Sequence, residues 1–343
     1  MKIMIRIIRD RRAHRKVSIL RTIKATSIRF LSMFVVCLLL LLSRQGSASE
    51  FELVSYTAYT SLHWLKEAGV PEAREYAKAT GKAKLMATES IKPYDTIKLP
   101  NLLYHEMRYS AINRYVEKNG YKNVMDVACG FSPRGLYMAR HGIRFIGAEF
   151  DAVVTNGNNY LKKCLSGQEL ALASYEPVDA TDSVSMLSAV SDTEGPICIV
   201  MDGLMMYLDR QQQAQALQSI KAILKKHGGC YVTVDFTARD FVMDASRVVY
   251  GEKDAHKVYL ESAKVYEEIA EADFEKTFFP TTNEAQRFIE EQGLKVKRVP
   301  LFTSPIKLCS QKGLDKNQLS RLDALKSKDL LWVITLDEKE SAK

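Results

Sequence analysis

The sequence has no C-x-x-C pair, no H-E-x-x-H motif and no cluster of histidines, so it lacks the common patterns of a metal site. Five cysteines remain when Cys37 in the N-terminal extension is set aside, and they show no paired spacing. Three of them (Cys129, Cys198 and Cys230) stand in apolar runs, where a thiol usually serves as a small buried hydrophobe. We therefore expect no metal, and the cysteines argue against export.

The sequence also lacks a net charge over most of its length. Residues 1–50 contain 11 of the 49 Lys and Arg side chains and two of the 41 acidic ones. The remainder has 38 basic and 39 acidic side chains, a net charge of −1, so it offers nucleic acid little attraction. Proline is scarce at 9 residues and the apolar fraction is 46%, as in an ordinary globular protein.

The N-terminal extension consists of a basic leader, residues 1–29, and an apolar segment, residues 30–42. Thirteen residues rise only about 20 Å as a helix, less than the roughly 30 Å of a bilayer core. Three interpretations stay open: a signal peptide, a membrane anchor, and a start codon placed too early, with Met33 as the true start. We expect a cytoplasmic protein, membrane-associated if residues 30–42 anchor it.

From residue 97 onward, strand and helix patterns alternate, which predicts a largely parallel sheet with helices on both faces. Predicted strands cover 123–128, 145–150, 171–178, 196–202, 230–236, 294–301 and 330–336. Predicted helices cover 152–165, 209–226 and 282–292, with another beginning near 133. Residues 53–96, 238–280 and 314–328 are also expected to be mostly helical.

The exit of the first predicted strand is the place to look for a ligand, because such sheets bind ligands beyond the carboxyl ends of their strands. Gly130 there would allow a close approach of the backbone, while Ser132 and Pro133 suggest the N-cap and first residue of a helix. The loop does not fit G-x-G-x-x-G, because Ala128 replaces the first glycine and Pro133 the third. A plain turn is the alternative interpretation.

The next three strand ends each bring an acidic residue to the same edge. Glu149 and Asp151 end the second strand, where an acid commonly binds ribose hydroxyls. Asp179 follows the third strand and is a candidate acceptor for an adenine amino group, while Asp202 follows the fourth. Solvated strand ends and ordinary loop carboxylates are the alternatives. Four consecutive strands delivering glycine or acid to one edge favour a binding site.

Four segments together resemble the leucine carboxyl methyltransferase and polyketide O-methyltransferase superfamily, and most closely its bacterial polyketide-type branch. They are Val54-Ser-Tyr-Thr-Ala58, the loop ACGFSPRGL (128–136), the pair Glu149-x-Asp151, and DGLMMYL (202–208). The resemblance covers about residues 53–300. It implies a Rossmann-like α/β class I methyltransferase domain over 53–337, with a mostly parallel seven-stranded sheet. An N-terminal helical cap (53–120) and a helical insertion (238–280) would complete this domain.

The resemblance also implies S-adenosyl-L-methionine as the cofactor and assigns roles around it. Arg108 would hold the cofactor's carboxylate, Gly130 would pass its methionine part, and Asp202 would lie near its amino group. Asp151 would bind the ribose, and Glu149 would belong to the same site. Asp179 and Ala180 would flank the adenine.

The chain departs from the family at two places. Asp202 stands where the family often has Glu, which shortens the reach to the ligand. Ser132-Pro-Arg134 stands where the leucine carboxyl branch has a second glycine and an Asp-Thr-Arg sequence, which counts against modification of a protein phosphatase. For Arg134 we favour the role of an ion-pairing residue on a helix.

We therefore expect a methyltransferase that O-methylates a carboxylate or hydroxyl on a small-molecule acceptor, without a nucleic-acid partner and with no catalytic residue assigned. Membrane contact through residues 30–42 would accompany the anchor interpretation. The alternatives are a cofactor-binding module without turnover and a nicotinamide-dependent oxidoreductase, which the loop glycines disfavour.

Overall fold

The computed structural model describes residues 50–82, 84–85, 94–270, 276–301, 307–325 and 329–337. The basic leader and the apolar segment, residues 1–29 and 30–42, lie outside these ranges. By its internal contacts the chain divides into two units, Met1–Tyr56 and Thr57–Lys343, and the second unit contains all the described strands.

Seven strands of the described residues form one sheet in the order β3-β2-β1-β4-β5-β7-β6. They are β1 (Asn123–Val127), β2 (Arg144–Glu149), β3 (Ala173–Pro177), β4 (Ile197–Met201), β5 (Gly229–Thr233), β6 (Leu294–Pro300) and β7 (Asp329–Leu336). The neighbouring strands β3, β2, β1, β4 and β5 all run parallel to one another. Strand β7 runs antiparallel to both β5 and β6. The structure thus confirms a seven-stranded, mostly parallel α/β sheet, which β7 makes a mixed one.

The helices lie before, between and after the strands. They are α1 (Glu50–Ala68), α2 (Pro71–Ala79), α3 (Tyr94–Lys118), α4 (Arg134–Arg140), α5 (Asp151–Cys164), α6 (Gly167–Ala171), α7 (Ser183–Ala189), α8 (Arg210–His227), α9 (Ala238–Tyr250), α10 (Glu252–Ala270), α11 (Thr282–Glu291) and α12 (Lys316–Leu325). Short 3₁₀ turns cover Met205–Tyr207, Asp235–Thr237 and Cys309–Gly313.

Local sequence explains several of these boundaries. All five residues of β4 are buried, as expected of a continuous apolar run in the middle of a parallel sheet. Asp209 and Gln212 form a capping box at the start of α8, and Gly228 ends that helix with a positive φ of 71°. Thr281 and Glu284 form the same box at α11.

Both faces of the sheet are covered by helices, as predicted. On one face Met125 and Ile199 pack in the main core with Leu217 and Ile220 of α8. On the other face the ring of Phe145 lies against Gly135 of α4, so closely that a Cβ there would be 3.0 Å from it.

The structure differs from the sequence-based expectation at four places. Pro133, and not Ser132, is the N-cap of α4, whose first residue is Arg134. Helices α6 and α7 occupy stretches where none is predicted. Of the three cysteines in apolar runs, Cys198 and Cys230 are buried, but Cys129 is half-buried.

The expected localisation, cytoplasmic and membrane-associated if residues 30–42 anchor the chain, needs correction. Within the part of the chain that the structure describes, no helix combines the length and the hydropathy that crossing a bilayer requires. Residues 30–42 themselves lie outside that part.

Candidate functional site

The strand order reverses between β1 and β4, because β1, β2 and β3 are laid outward and the chain then returns to place β4 beside β1. Open α/β sheets bind ligands at this switch point, beyond the carboxyl ends of the strands. A cleft of about 10 Å³ lies there, enough for about one water molecule. Its polar lining includes Ser61 of α1, Arg108 of α3, Asp126 of β1, Arg134 of α4, and Asp202 after β4.

Two arginines and two aspartates form an ion-pair network in this cleft. Arg134 Nε lies 2.8 Å from Asp126 Oδ2, and Arg134 Nη2 lies 3.3 Å from Asp202 Oδ2. Arg108 Nη1 lies 3.3 Å from Asp202 Oδ1. All four side chains are at most 10% exposed. Two positive and two negative groups balance each other, which is what allows charges to be buried together.

Arg134 is the centre of this network, in the ion-pairing role favoured from the sequence. Besides the two aspartates, its guanidinium donates to Asn113 Oδ1 at 2.6 Å. Burial raises the pKa of Asp126 to about 6, although Arg134 acts in the opposite direction. Arg134 therefore compensates only part of the cost of burying this carboxylate.

Arg108 is fixed by neighbours on α1 and α3. It donates to the hydroxyls of Tyr104 at 3.0 Å and Ser61 at 3.2 Å, and to Nδ1 of His105 at 3.1 Å. Burial, together with the adjacent Arg108, lowers the pKa of His105 well below its usual range, so this ring is neutral at pH 7. A guanidinium only donates, so Nδ1 accepts and the ring proton lies on Nε2.

The loop after β1 is held by hydrogen bonds on consecutive residues. Gly130 N–H donates to Glu149 Oε1 at 2.6 Å, and Phe131 N–H donates to the carbonyl of Ala58 at 2.8 Å. Gly130 has a φ of 56°, and a Cβ there would lie 2.5 Å from the Ala58 oxygen. The glycine predicted to pass a ligand thus makes room for the backbone of α1.

Ala128 stands at the position of the first glycine in the G-x-G-x-x-G motif. Its backbone is in the left-handed conformation, which glycine adopts easily and alanine does not. Its φ is 53°, and it is the only non-glycine residue with a positive φ among those described. Left-handed backbone costs an L-residue roughly 1–2 kcal/mol. The loop therefore carries local strain at the entrance to the site.

Asp235, in the 3₁₀ turn that follows β5, is a residue of this edge that the sequence reasoning missed. Its carboxylate accepts the backbone N–H groups of Gly203, Leu204 and Met205 at 2.7, 2.8 and 2.9 Å. Burial raises its pKa to about 6. The available signal was an acid at the exit of yet another strand. Asp235 thus holds the loop after β4 as Glu149 holds the loop after β1.

The remaining predicted residues lie toward the β3 side of the edge. Asp151 is the first residue of α5, and it is exposed. Asp179 is half-buried, and its Oδ1 accepts the N–H and the hydroxyl of Thr181 at 2.9 and 2.8 Å, so it orders the turn before α7. Ala180 packs against the main core.

The structure thus brings the predicted site residues together in two pairs. Arg108 contacts Asp202, and Gly130 contacts Glu149. Asp151, Asp179 and Ala180 follow β2 and β3 on the same edge but join neither pair in the contacts described. Among the residues that the structure describes, no three His, Cys, Asp or Glu side chains gather in a group that would hold a metal.

No protein-family model and no curated protein sequence matches this chain. Among solved structures, an O-methyltransferase family protein from Burkholderia thailandensis is 9% identical, with 84% of this chain and 72% of that chain aligned at a TM-score of 0.39. Magnesium protoporphyrin IX methyltransferase from Synechocystis, with bound SAH, is 9% identical over 66% and 85% of the two chains (TM-score 0.38).

A SAM-dependent methyltransferase from Anabaena variabilis is 13% identical over 71% of this chain and 94% of that chain, at a TM-score of 0.36. Structural similarity at these identities and TM-scores adds nothing to what the strand order of this chain already shows. Membership of the leucine carboxyl and polyketide-type superfamily therefore stays a prediction, and the architecture rests on the chain's own topology.

Proposed function

We propose that this chain is an S-adenosylmethionine-dependent methyltransferase that O-methylates a carboxylate or hydroxyl on a small acceptor. The observation that supports this most is the Arg108–Asp202 pair at the switch point, with 3.3 Å between Nη1 and Oδ1. A guanidinium beside a carboxylate complements the carboxylate and ammonium of an amino acid, which is one end of this cofactor. The two loops beside the pair are fixed by Glu149 and Asp235.

The other predicted residues match the rest of the cofactor by their chemistry. Asp151 is an exposed carboxylate directly after β2, where ribose hydroxyls are commonly bound. Asp179 and Ala180 offer a half-buried turn beside it for the adenine. These residues would bind the ligand, and Arg108 with Asp202 would orient its amino-acid end.

The cleft is smaller than the site of a ligand as large as S-adenosylmethionine. Sites for ligands of this size measure about 300–1,000 Å³, whereas the cleft measures about 10 Å³. Ser61 of α1 lines the cleft, and α1 also supplies Ala58 to the β1 loop. We infer that the cleft widens when the ligand binds, with α1 as the element that moves.

The hydrogen bonds of the loop favour this cofactor over a dinucleotide. A pyrophosphate site needs backbone N–H groups that point at the ligand. Here the N–H groups of Gly130, Phe131 and Ser132 donate to Glu149, Ala58 and Cys129, respectively. The Gly130 and Ser132 donors are bonded to residues outside α1, so they stay occupied when α1 moves, and S-adenosylmethionine has no phosphate to require them.

When bound, the sulfonium of the cofactor supplies a methyl group that is already activated for transfer. The task of the protein is then to hold the acceptor in line and to exclude water. Helices α1 and α3 line the cleft and cover it, and this cover favours a small acceptor over a folded protein or a nucleic-acid duplex. A carboxylate acceptor needs no base, whereas a hydroxyl benefits from one.

Calorimetric titration of the full chain tests the proposal. We expect S-adenosylmethionine and S-adenosylhomocysteine to bind in the micromolar range, without binding of NAD or ATP. NAD binding without S-adenosylhomocysteine binding would contradict the assignment. A methyl-transfer assay with EDTA, over phenols, fatty acids, amino acids, a protein lysate and RNA, then identifies the acceptor class. Transfer confined to protein or RNA would contradict the small acceptor.

A further inference from the structure

Tyr175 on β3 is a buried tyrosine whose ring fills a slot between two glycines. A Cβ on Gly147 of β2 would lie 2.8 Å from this ring, and a Cβ on Gly157 of α5 would lie 2.6 Å from it. The residue is only 2% exposed. Both glycines are therefore needed to admit an aromatic ring at this point of the sheet.

The hydroxyl of Tyr175 reaches the loop after β1. It donates to the carbonyl of Gly130 at 3.0 Å and accepts from the hydroxyl of Tyr76, on α2, at 3.2 Å. The thiol of Cys129 is a second donor to the same carbonyl at 3.5 Å, but a weak one.

Gly130 is thus held on both of its backbone polar groups. Glu149 accepts its N–H, and Tyr175 donates to its C=O. Without a Cβ, and with a φ of 56°, glycine has more freedom than other residues to rotate its flanking peptides. Two side chains from neighbouring strands remove that freedom.

We propose that Tyr175 is a positioning residue of the cofactor site: its hydroxyl fixes the Gly130 peptide in the orientation in which this loop receives the methionine part of S-adenosylmethionine. The inference rests on the proposed function. A loop ordered before the ligand arrives does not have to be ordered on binding, and affinity is higher for that reason. The ring of Tyr175 has a separate task, because it fills the slot between Gly147 and Gly157.

Tyr175→Phe separates the two tasks, since it keeps the ring and deletes the hydroxyl. Tyr115→Phe is the matched control, because the Tyr115 hydroxyl bonds Cys230 near the start of β5, at the opposite edge of the sheet. We expect Tyr175→Phe to weaken S-adenosylhomocysteine binding roughly tenfold in calorimetry, with Tyr115→Phe close to wild type. Both variants should melt within a few degrees of each other, and in a transfer assay Tyr175→Phe should raise KM for the methyl donor more than it lowers kcat.

The outcomes separate the inference from the proposed function. If wild-type protein binds no S-adenosylhomocysteine, the proposed function fails by itself. If wild type binds and Tyr175→Phe binds equally well, the positioning role is overturned. The same holds if Tyr115→Phe loses as much affinity, or if Tyr175→Phe does not fold, because the hydroxyl would then serve the fold as a whole.

Discussion

The carboxylate of Glu149 accepts the N–H of Gly130 at 2.6 Å, so the end of β2 holds the loop after β1. Its second oxygen accepts the N–H of Phe150 at 3.0 Å, at the start of the loop after β2. One buried carboxylate therefore connects two neighbouring loops of the candidate site, and its protonation affects both.

Glu149→Gln is expected to reduce the pH dependence of stability. Burial raises the pKa of Glu149 to about 7 in the folded protein, compared with about 4.3 in an unfolded chain. The folded state binds this proton more tightly, so the stabilisation is complete below about pH 4.3 and is lost as the pH rises through about 7. Urea unfolding should show wild type losing about 1–3 kcal/mol more than the variant between pH 5 and pH 8. Equal losses would contradict the raised pKa.

Ala128→Gly is expected to stabilise the protein by about 0.5–1 kcal/mol, because relief of left-handed strain exceeds the entropy cost of glycine. Ala139→Gly, near the end of α4, is the control, and it should destabilise by about 1–2 kcal/mol because a helix disfavours glycine and because the buried methyl of Ala139 is lost. Thermal and urea denaturation measure both. Destabilisation by Ala128→Gly as large as in the control would argue against strain at residue 128.

Arg134→Met is expected to cost about 3–5 kcal/mol of unfolding free energy, since it leaves Asp126 buried without its main partner. Adding Asp126→Asn should recover part of this loss, because the uncompensated charge is removed. Arg140→Met on the same helix breaks the exposed pair with Glu75 and should cost at most about 1 kcal/mol. Similar losses from the two single variants would show that the buried network contributes no more than a surface pair.

Asp151→Ala is expected to weaken S-adenosylhomocysteine binding by about 1.5–3 kcal/mol, because ribose hydroxyls would lose a charged partner. The control is Asp192→Ala, on the turn before β4 at the opposite edge, which should leave affinity unchanged. Calorimetry on both variants measures the difference. Unchanged affinity in Asp151→Ala would show that the ribose is bound elsewhere.

The strands and most helices could be predicted because their signals are local. The apolar run at 196–202 and the glycines at 228 and 229 each act through their immediate neighbours. Helix α7 is short, and only Met186 among its residues is buried, so it shows no helical period to detect.

The site could be predicted as a set of positions but not as a set of contacts. Glu149 lies at the end of β2, where the sequence predicts a strand end, yet its bond to Gly130 joins residues 19 positions apart. Asp235 acts on a loop some 30 residues earlier, and no local pattern connects them. Such contacts depend on which strands are neighbours in the sheet. The sequence pattern shows where the strands are along the chain, but it does not specify which of them pair.

The slot around Tyr175 also restricts how this sequence can diverge. A side chain at residue 147 or 157 would enter the space of the ring, and a smaller residue at 175 would leave a void between two bare backbones. We therefore expect a single change at any of the three positions to be disfavoured, and paired changes to be tolerated better. Across related sequences we expect glycine at the first two positions to covary with an aromatic residue at the third.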